Sequence, residues 1–359
     1  MKKKIIIAAT SARAFAEAAC ASGDEVVTLD AFADADLNSI ASEAYQVNMQ
    51  DWQIDIDDFI RQFVKINLDN VHGFCYASLF DAVPELLNWV ATRVPIIGNS
   101  AETLKKAKAI SFFELLDTLD IVHPKVSLDY PQAPGHWLSK SVGGCGGTHV
   151  KLAKEHDLGD YFQQEIVGEP VSMLFVANGK VSQLIGFNRQ LVAPTIVLPY
   201  RYAGAVGSVK LPDSVVEAFC NAAKKLTNAM GLVGINSLDA VLCDEKLSIL
   251  ELNPRLSASF ELYPNLWDVH LQACNGILTG LHINNASRAK MTIFADKDIE
   301  IDIDFAWPNW TADLPNQDLA RNRILKDAPI CSVLAEAETA ELAFINLLER
   351  AKQLREMMR

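Results

Sequence analysis

Short apolar runs alternate with amphipathic stretches over the first hundred residues. Ile5 to Ala9 is one run, and Val26 to Leu29, ending on Asp30, is a second. Val71 to Tyr76 is a third, and Pro95-Ile96-Ile97, closed by Gly98-Asn99, is a fourth. Between them, Ala12 to Ala21 is alanine-rich and stops at Gly23, and Pro84 to Arg93 reads as a helix. Apolar strands alternating with helices predict βαβ units, hence a parallel sheet with helices on both faces. Thr103 to Asp117 then reads as one helix carrying Lys105, Lys106 and Lys108 in its first half. From Trp137 to Gly186 the pattern changes to strands joined by breaks. Asn178-Gly179 is a hairpin signal, and the whole stretch predicts a mostly antiparallel unit with a glycine-rich hairpin at its edge. Pro212 to Gly231 is an amphipathic helix with Val216, Phe219, Leu226 and Met230 on its apolar face. A further helical segment lies near Leu266 to Cys274. Ile299 to Asp304 alternates strictly, which predicts a strand with one wet face. Glu336 to Arg359 reads as a closing helix with Phe344, Leu348, Ala351 and Leu354 on one side.

Length and charge narrow the function classes. A chain of 359 residues suggests two or three domains. A net charge of −13 argues against non-specific binding of nucleic acid or an anionic membrane, so neither is expected as a partner. The seven cysteines are scattered and never in a Cys-x-x-Cys pair, which points away from zinc and disulfides and towards a reducing cytoplasm. The run after Lys2-Lys3-Lys4 is too short for a secretion signal and reads as a buried first strand. No stretch approaches the roughly 20 apolar residues of a membrane helix.

The chemistry concentrates at Glu251-Leu252-Asn253-Pro254-Arg255. The apolar run Leu247 to Leu250 leads into it as a strand, so Glu251 and Asn253 share a face. Twelve residues upstream, Asp239 sits in a second apolar segment, and Cys243 to Lys246 supplies a turn between the two. A hairpin would set Asp239 beside Glu251. Two carboxylates and an amide suit a hard cation such as Mg²⁺ that bridges nucleotide phosphates. Earlier, Lys140 ends a short strand that runs into Gly143, Gly144, Gly146 and Gly147. Glycines let backbone N–H groups approach phosphate oxygens, and the lysine adds a point charge. The Gly-Lys-Ser/Thr order of a Walker loop is missing, and Ala9-Thr10-Ser11-Ala12 stands where a dinucleotide fingerprint would lie. Ser11 reads as a helix cap, with ligand binding as the alternative. His149 reads as structural or solvent-facing, and Cys145 as incidental. Arg189 and Arg201 are either substrate ligands or surface charges.

Taken in order, these motifs resemble the ATP-grasp superfamily of carboxylate–amine or thiol ligases over about residues 1 to 290. The nearest group is a set of predicted ATP-dependent carboligases related to biotin carboxylase. The resemblance implies a mixed α/β and α+β ATP-grasp fold. It implies an N-terminal βαβ domain over 1–98, two α+β subdomains over 99–195 and 196–290 that clasp ATP, and a C-terminal β and helix extension over 291–359. Gln164, Glu165 and Ile166 would meet adenine, and Glu169 the ribose. Lys140 and Lys108 would contact phosphates, with Lys105 or Lys106 as alternatives to Lys108, and Gly143 to Thr148 would form a lid. Asp239, Glu251 and Asn253 would hold Mg²⁺, or Mn²⁺ in its place. Arg255 would face the reacting carboxylate and the acyl phosphate. The implied reaction joins a small-molecule acid to an amine as ATP goes to ADP and phosphate. A homodimer is the assembly allowed for. Two alternatives stand beside it: a bicarbonate-using enzyme with a separate carrier, and a non-catalytic nucleotide-binding protein on the same fold.

Overall fold

The computed structural model describes residues 2–50, 52–132, 135–154, 159–281, 286–316 and 323–358. Strands β1 (Lys4–Ala9), β2 (Glu25–Asp30), β3 (Glu43–Gln46) and β4 (Val71–Tyr76) form a parallel sheet in the order β3-β2-β1-β4. Its central strands are apolar along nearly their whole length because both faces are covered. Helix α1 (Arg13–Ala21) packs on one side, and α3 (Ile56–Phe63) and α4 (Pro84–Ala91) on the other. The fourth predicted strand reduces to a single parallel bridge between Phe74 and Ile96.

The predicted helix over 103–117 is two helices, α5 (Ala101–Lys108) and α6 (Ser111–Thr118). Ser100 caps α5 by accepting from the Thr103 N–H. Ala109 then takes an extended conformation and breaks the run. The break leaves Lys108 on the last turn of α5, against the strand that carries Glu251.

The stretch from Trp137 to Gly186 divides between two sheets. β5 (Val126–Ser127), β6 (Trp137–Lys140), β7 (Lys151–Leu152) and β8 (Tyr161–Gln164) form a small antiparallel sheet in the order β5-β8-β6-β7. The glycine-rich segment joins β6 to β7 as a long hairpin loop. After Gln164 the chain crosses to β9 (Glu169–Asn178) and β10 (Ser182–Val192), which start the second sheet. With β11 (Tyr202–Gly207), β12 (Val233–Cys243), β13 (Lys246–Asn253), β14 (Ser287–Phe294), β15 (Thr311–Ala312) and β16 (Pro329–Ala337) it runs β13-β12-β9-β10-β11-β14-β16-β15. Helix α7 (Asp213–Met230) buries Phe219, Ala222, Ala223 and Leu226 on one face of this sheet and ends in left-handed Gly231. Helix α8 (Leu266–Cys274) covers the other face.

Two predictions near the C-terminus need correction. Only Ile299–Glu300 of the alternating run is a strand, paired with Arg323–Ile324. A turn at Asp302 follows, where the Phe305 N–H bonds the Asp302 carbonyl. Helix α9 (Ala340–Met357) buries Ala340, Ala343, Leu347, Ala351 and Leu354, while Leu348 is 46% exposed. The small alanines bring the helix close to β14 and β16, and that selects a stripe one position away from the bulky residues.

Candidate active site

The hairpin of β12 and β13 places Asp239 directly opposite Glu251, with a bulge beside Asp239. Asn253, two residues on, donates from one amide nitrogen towards Asp239 Oδ2 (3.0 Å) and Glu251 Oε1 (3.2 Å). Gln190 on β10 donates to Asp239 Oδ1 at 3.0 Å. Burial pushes the Asp239 carboxyl up to about 8, and the neighbouring Glu251 charge adds to the rise. Two partly exposed carboxylates this close call for a cation.

Lys108 supplies one. Its ammonium lies 2.7 Å from Asn253 Oδ1 and 3.4 Å from Glu251 Oε2. The other two candidate lysines point elsewhere: Lys105 pairs with Glu85 and Lys106 with Glu102, all four well exposed. Lys140, at the end of β6, is half-buried and donates to Gln163 Oε1 at 2.6 Å. Burial lowers its pKa.

Arg255 is 7% exposed, with its guanidinium held on one side by Asp81. Nε reaches Oδ1 at 2.9 Å and Nη2 reaches Oδ2 at 2.5 Å, a bidentate pair. Nη2 also donates to Asn253 Oδ1 at 2.8 Å. Asp81 lies 3.3 Å from Lys108, so one carboxylate from the first sheet's loops ties together two cations of the site. The Asp81 side chain is completely buried. Nothing in the local pattern of Leu79-Phe80-Asp81-Ala82 marked it, because its partner is 174 residues away. The backbone of Pro254 is fixed in turn: its carbonyl accepts from Asn99 Nδ2 (3.0 Å) and the Tyr76 hydroxyl (3.4 Å).

The glycine loop lies folded down on this cluster. Gly143 has φ of +69°, and a Cβ there would stand 2.4 Å from the Asp81 carbonyl oxygen. Gly147, at φ +68°, approaches the Tyr200 carbonyl just as closely. Both need the missing side chain and the left-handed backbone together. Gly144 packs against the His149 ring, while Gly146 has open space around it and accepts from the Tyr202 N–H. His149 is therefore not solvent-facing. It is half-buried, with its pKa lowered to about 4 by desolvation. Cys145 is half-buried, and burial raises its thiol to about 11.

Gln164, Glu165 and Ile166 occupy the crossover between the two sheets. The Glu165 carboxylate accepts from the Tyr200 hydroxyl at 2.6 Å and lies 3.3 Å from His136. Glu169 begins β9 and stands 3.8 Å from Arg189. Arg201 donates to the carbonyls of Ala193 and Asp327 and stacks on Phe294, and the Arg189 guanidinium lies over Phe344. Neither arginine has a contact to Asp239, Glu251 or Arg255. Ser11 does not cap α1; it donates to Asp313 at 3.1 Å and towards Asp34 at 3.4 Å.

The donor set fits a hard divalent cation: two carboxylates and an amide, all oxygen. Among the described residues no three His, Cys, Asp or Glu side chains converge on one point. Three buried polar atoms of the small sheet and its loop also lack partners: Trp137 Nε1, His149 Nδ1 and Gln163 Nε2. Buried donors without acceptors are costly unless a ligand completes them. The cavity between the glycine loop, α5 and Glu251 is only about 20 Å³. Small-molecule pockets hold about 300–1,000 Å³, so this cavity is far smaller than a ligand pocket with the loop in this position.

Residues 109–259 match the family model described as an ATP-grasp domain. Solved structures resemble nearly the whole chain at low identity. A phosphoribosylglycinamide synthetase from Anaerococcus prevotii aligns with a TM-score of 0.69 and 14% identity over 97% of either chain. An N5-carboxyaminoimidazole ribonucleotide synthetase from Thermotoga maritima gives 0.69 and 13% over 98% of both. The biotin carboxylase domain dimer of 2-oxoglutarate carboxylase from Hydrogenobacter thermophilus, in complex with MgADP, ADP and bicarbonate, gives 0.73 and 12% over 97% of this chain and 90% of that one. Among curated proteins none matches in sequence.

Proposed function

We propose, from the premise that this chain belongs to the ATP-grasp superfamily, that it is an ATP-dependent ligase joining a carboxylate to an amine. The observation that carries the reading is the cluster of Lys108, Asp81, Arg255, Asn253, Glu251 and Asp239 beneath a glycine loop. Asp239, Glu251 and Asn253 would hold Mg²⁺, or Mn²⁺ in its place. The ion, when bound, offsets phosphate charge during transfer.

In the first step a substrate carboxylate oxygen attacks the γ-phosphorus of ATP. The bond from that phosphorus to the bridging oxygen breaks, and ADP leaves. Lys108 and Lys140 bring positive charge to phosphoryl oxygens, which is most of what a protein contributes to such a transfer. In the second step the amine nitrogen attacks the acyl carbon. The carbon–oxygen bond to phosphate breaks, and the amine sheds its proton. Arg255, anchored by Asp81, would bring its positive charge to the acyl oxygens. The glycine loop, closed, would keep water from the acyl phosphate. Gln164, Glu165 and Ile166 would meet adenine at the crossover, and Glu169 the ribose.

Small-molecule acids and amines are the partners this reading implies. No helix among the described residues is long and apolar enough to cross a membrane. The likeness to a carboxylase-domain dimer supports a homodimer, which light scattering would check. A second reading, with bicarbonate as the acid, is favoured by the likeness to a domain solved with bicarbonate. It requires bicarbonate to stimulate ATP turnover. The ligase reading predicts ADP and phosphate release that needs both an acid and an amine and is abolished in Glu251→Ala; turnover untouched by that substitution would sink it.

A further inference from the structure

A cavity of about 410 Å³ opens beside Arg255. Its walls come from the carboxyl ends of β1 and β4, the residues after Arg255, and strands β11, β14 and β16. Its charges are unevenly matched. Lys290 is already held by Glu261 (2.7 Å) and Asp313 (2.8 Å). Arg323 is held by Asp298 at 2.6 Å, and Arg255 by Asp81. Behind the wall, buried Arg13 is shared among Glu17, Asp36, Glu261 and Asp313. Every cation lining the cavity among the described residues thus has a carboxylate partner.

Asp34 is the exception among the acids. It lines the cavity and is only 6% exposed. Among the described residues no cation lies within ion-pair distance of it, and its one side-chain contact is the 3.4 Å approach of the Ser11 hydroxyl. Although it precedes helix α2 (Ala35–Ile40), its carboxylate makes no capping bond. A buried carboxylate left without a cation is costly, and a ligand that brings one removes the cost. An anion entering the same cavity would meet Lys290 and Arg323 already neutralised, while Arg255 is the cation that the ligase reading gives to the reacting acyl group.

We infer that this cavity is the acceptor subsite and that it takes a cationic amine, with the ammonium seated on Asp34 and Ser11 and the organic part against Phe15 and Phe32. The inference rests on the ligase reading and names the class of its second substrate: an amine without a phosphate group. The electrostatics agree with the geometry. Burial, then Asp313, Asp30 and Asp36, push the Asp34 carboxyl up to about 8 against the opposing pull of Lys290. An empty subsite therefore holds a proton there, and an arriving ammonium replaces it.

The test uses three fragments of equal size: benzylamine, benzyl alcohol and benzyl phosphate. Affinities are read by ligand-observed NMR on the full chain, for wild type and Asp34→Asn, with thermal melting to check that the variant is folded. Benzylamine is expected to bind wild type about tenfold or more tightly than either of the others, and to lose that advantage in Asp34→Asn. Benzyl phosphate binding as well as or better than benzylamine, no measurable binding of any fragment, or a preference that survives in folded Asp34→Asn overturns the inference. Should Asp34→Asn not fold, the wild-type ranking alone decides. ATP binding is measured separately on wild type. Its absence would defeat the ligase reading while leaving the fragment ranking intact, so the two failures are distinguishable.

Discussion

Removing the Asp81 carboxylate should be the most damaging single truncation in the site, and its size follows from the contacts. Asp81→Ala strips Arg255 of its bidentate partner (2.9 and 2.5 Å) and takes a carboxylate 3.3 Å from Lys108. Both cations are at least nine-tenths buried. Breaking a buried pair by deleting one partner costs about 3–5 kcal/mol, because the survivor is left uncompensated. Lys108 keeps Glu251 and Asn253, and Arg255 keeps Asn253 and the Leu256 carbonyl, which argues for the lower end, about 3 kcal/mol. At about 2–4 °C per kcal/mol, the thermal midpoint should fall by about 6–12 °C. Replacing both partners removes the orphaned charge, so Asp81→Ala with Arg255→Met should recover most of the loss, to within about 1.5 kcal/mol of wild type. The assay is calorimetric and denaturant unfolding of wild type, both single variants and the double variant. A loss under about 1 kcal/mol in Asp81→Ala, or a double variant no more stable than Asp81→Ala, would refute the argument.

The remaining predictions probe the other parts of the site. Lys108→Met should weaken binding of a non-hydrolysable ATP analogue about tenfold or more, whereas exposed Lys105→Met should change it less than about twofold, as titration calorimetry would report. Gly143→Ala should destabilise by about 1–3 kcal/mol and weaken analogue binding, since its Cβ meets the Asp81 carbonyl. Gly146→Ala has open space and should cost only about 1 kcal/mol for its left-handed backbone. The Asp34 carboxyl sits at about 8 when folded and near 4 when unfolded, so its contribution is full below pH 4 and is lost as pH rises towards 8. Wild type should therefore lose stability relative to Asp34→Asn by up to about 1.4 kcal/mol per pH unit across that window, seen in denaturant titrations at a series of pH values. A difference that does not vary with pH would show that Asp34 is ionised throughout.

What could be read from the residues was what sequence neighbours determine. Asp239 and Glu251 lie in two apolar runs joined by a short turn, so their pairing across a hairpin followed from spacing. The parallel first sheet followed from runs that are apolar on both faces. The glycine loop between β6 and β7 was legible for the same local reason. What depended on distant contacts was not. Asp81 looked like an ordinary loop acid until the fold carried it to Arg255. Of three lysines on one short segment, Lys108 was preferred by the family resemblance alone. Only the break at Ala109 and the position of α5 on β13 turned Lys108 inwards. The alternation at Ile299–Asp304 had the period of a strand, but a turn at Asp302 ended it after Glu300. In α9 the bulky residues misled, because the alanines let the helix approach the sheet. Ser11 had the composition of a cap, yet its hydroxyl turns to Asp313 and Asp34 instead.

The central claim, that a carboxylate is activated as an acyl phosphate over the Lys108–Glu251–Arg255 cluster, is tested most directly by following oxygen. An acid labelled with ¹⁸O in its carboxylate is incubated with the enzyme, ATP, Mg²⁺ and the amine that supports turnover, and the released phosphate is analysed by mass spectrometry. The account predicts ADP as the nucleotide product and one ¹⁸O atom in each phosphate released in turnover, because the attacking carboxylate oxygen departs with the phosphoryl group. Unlabelled phosphate, or AMP with the label in its phosphate, would contradict it.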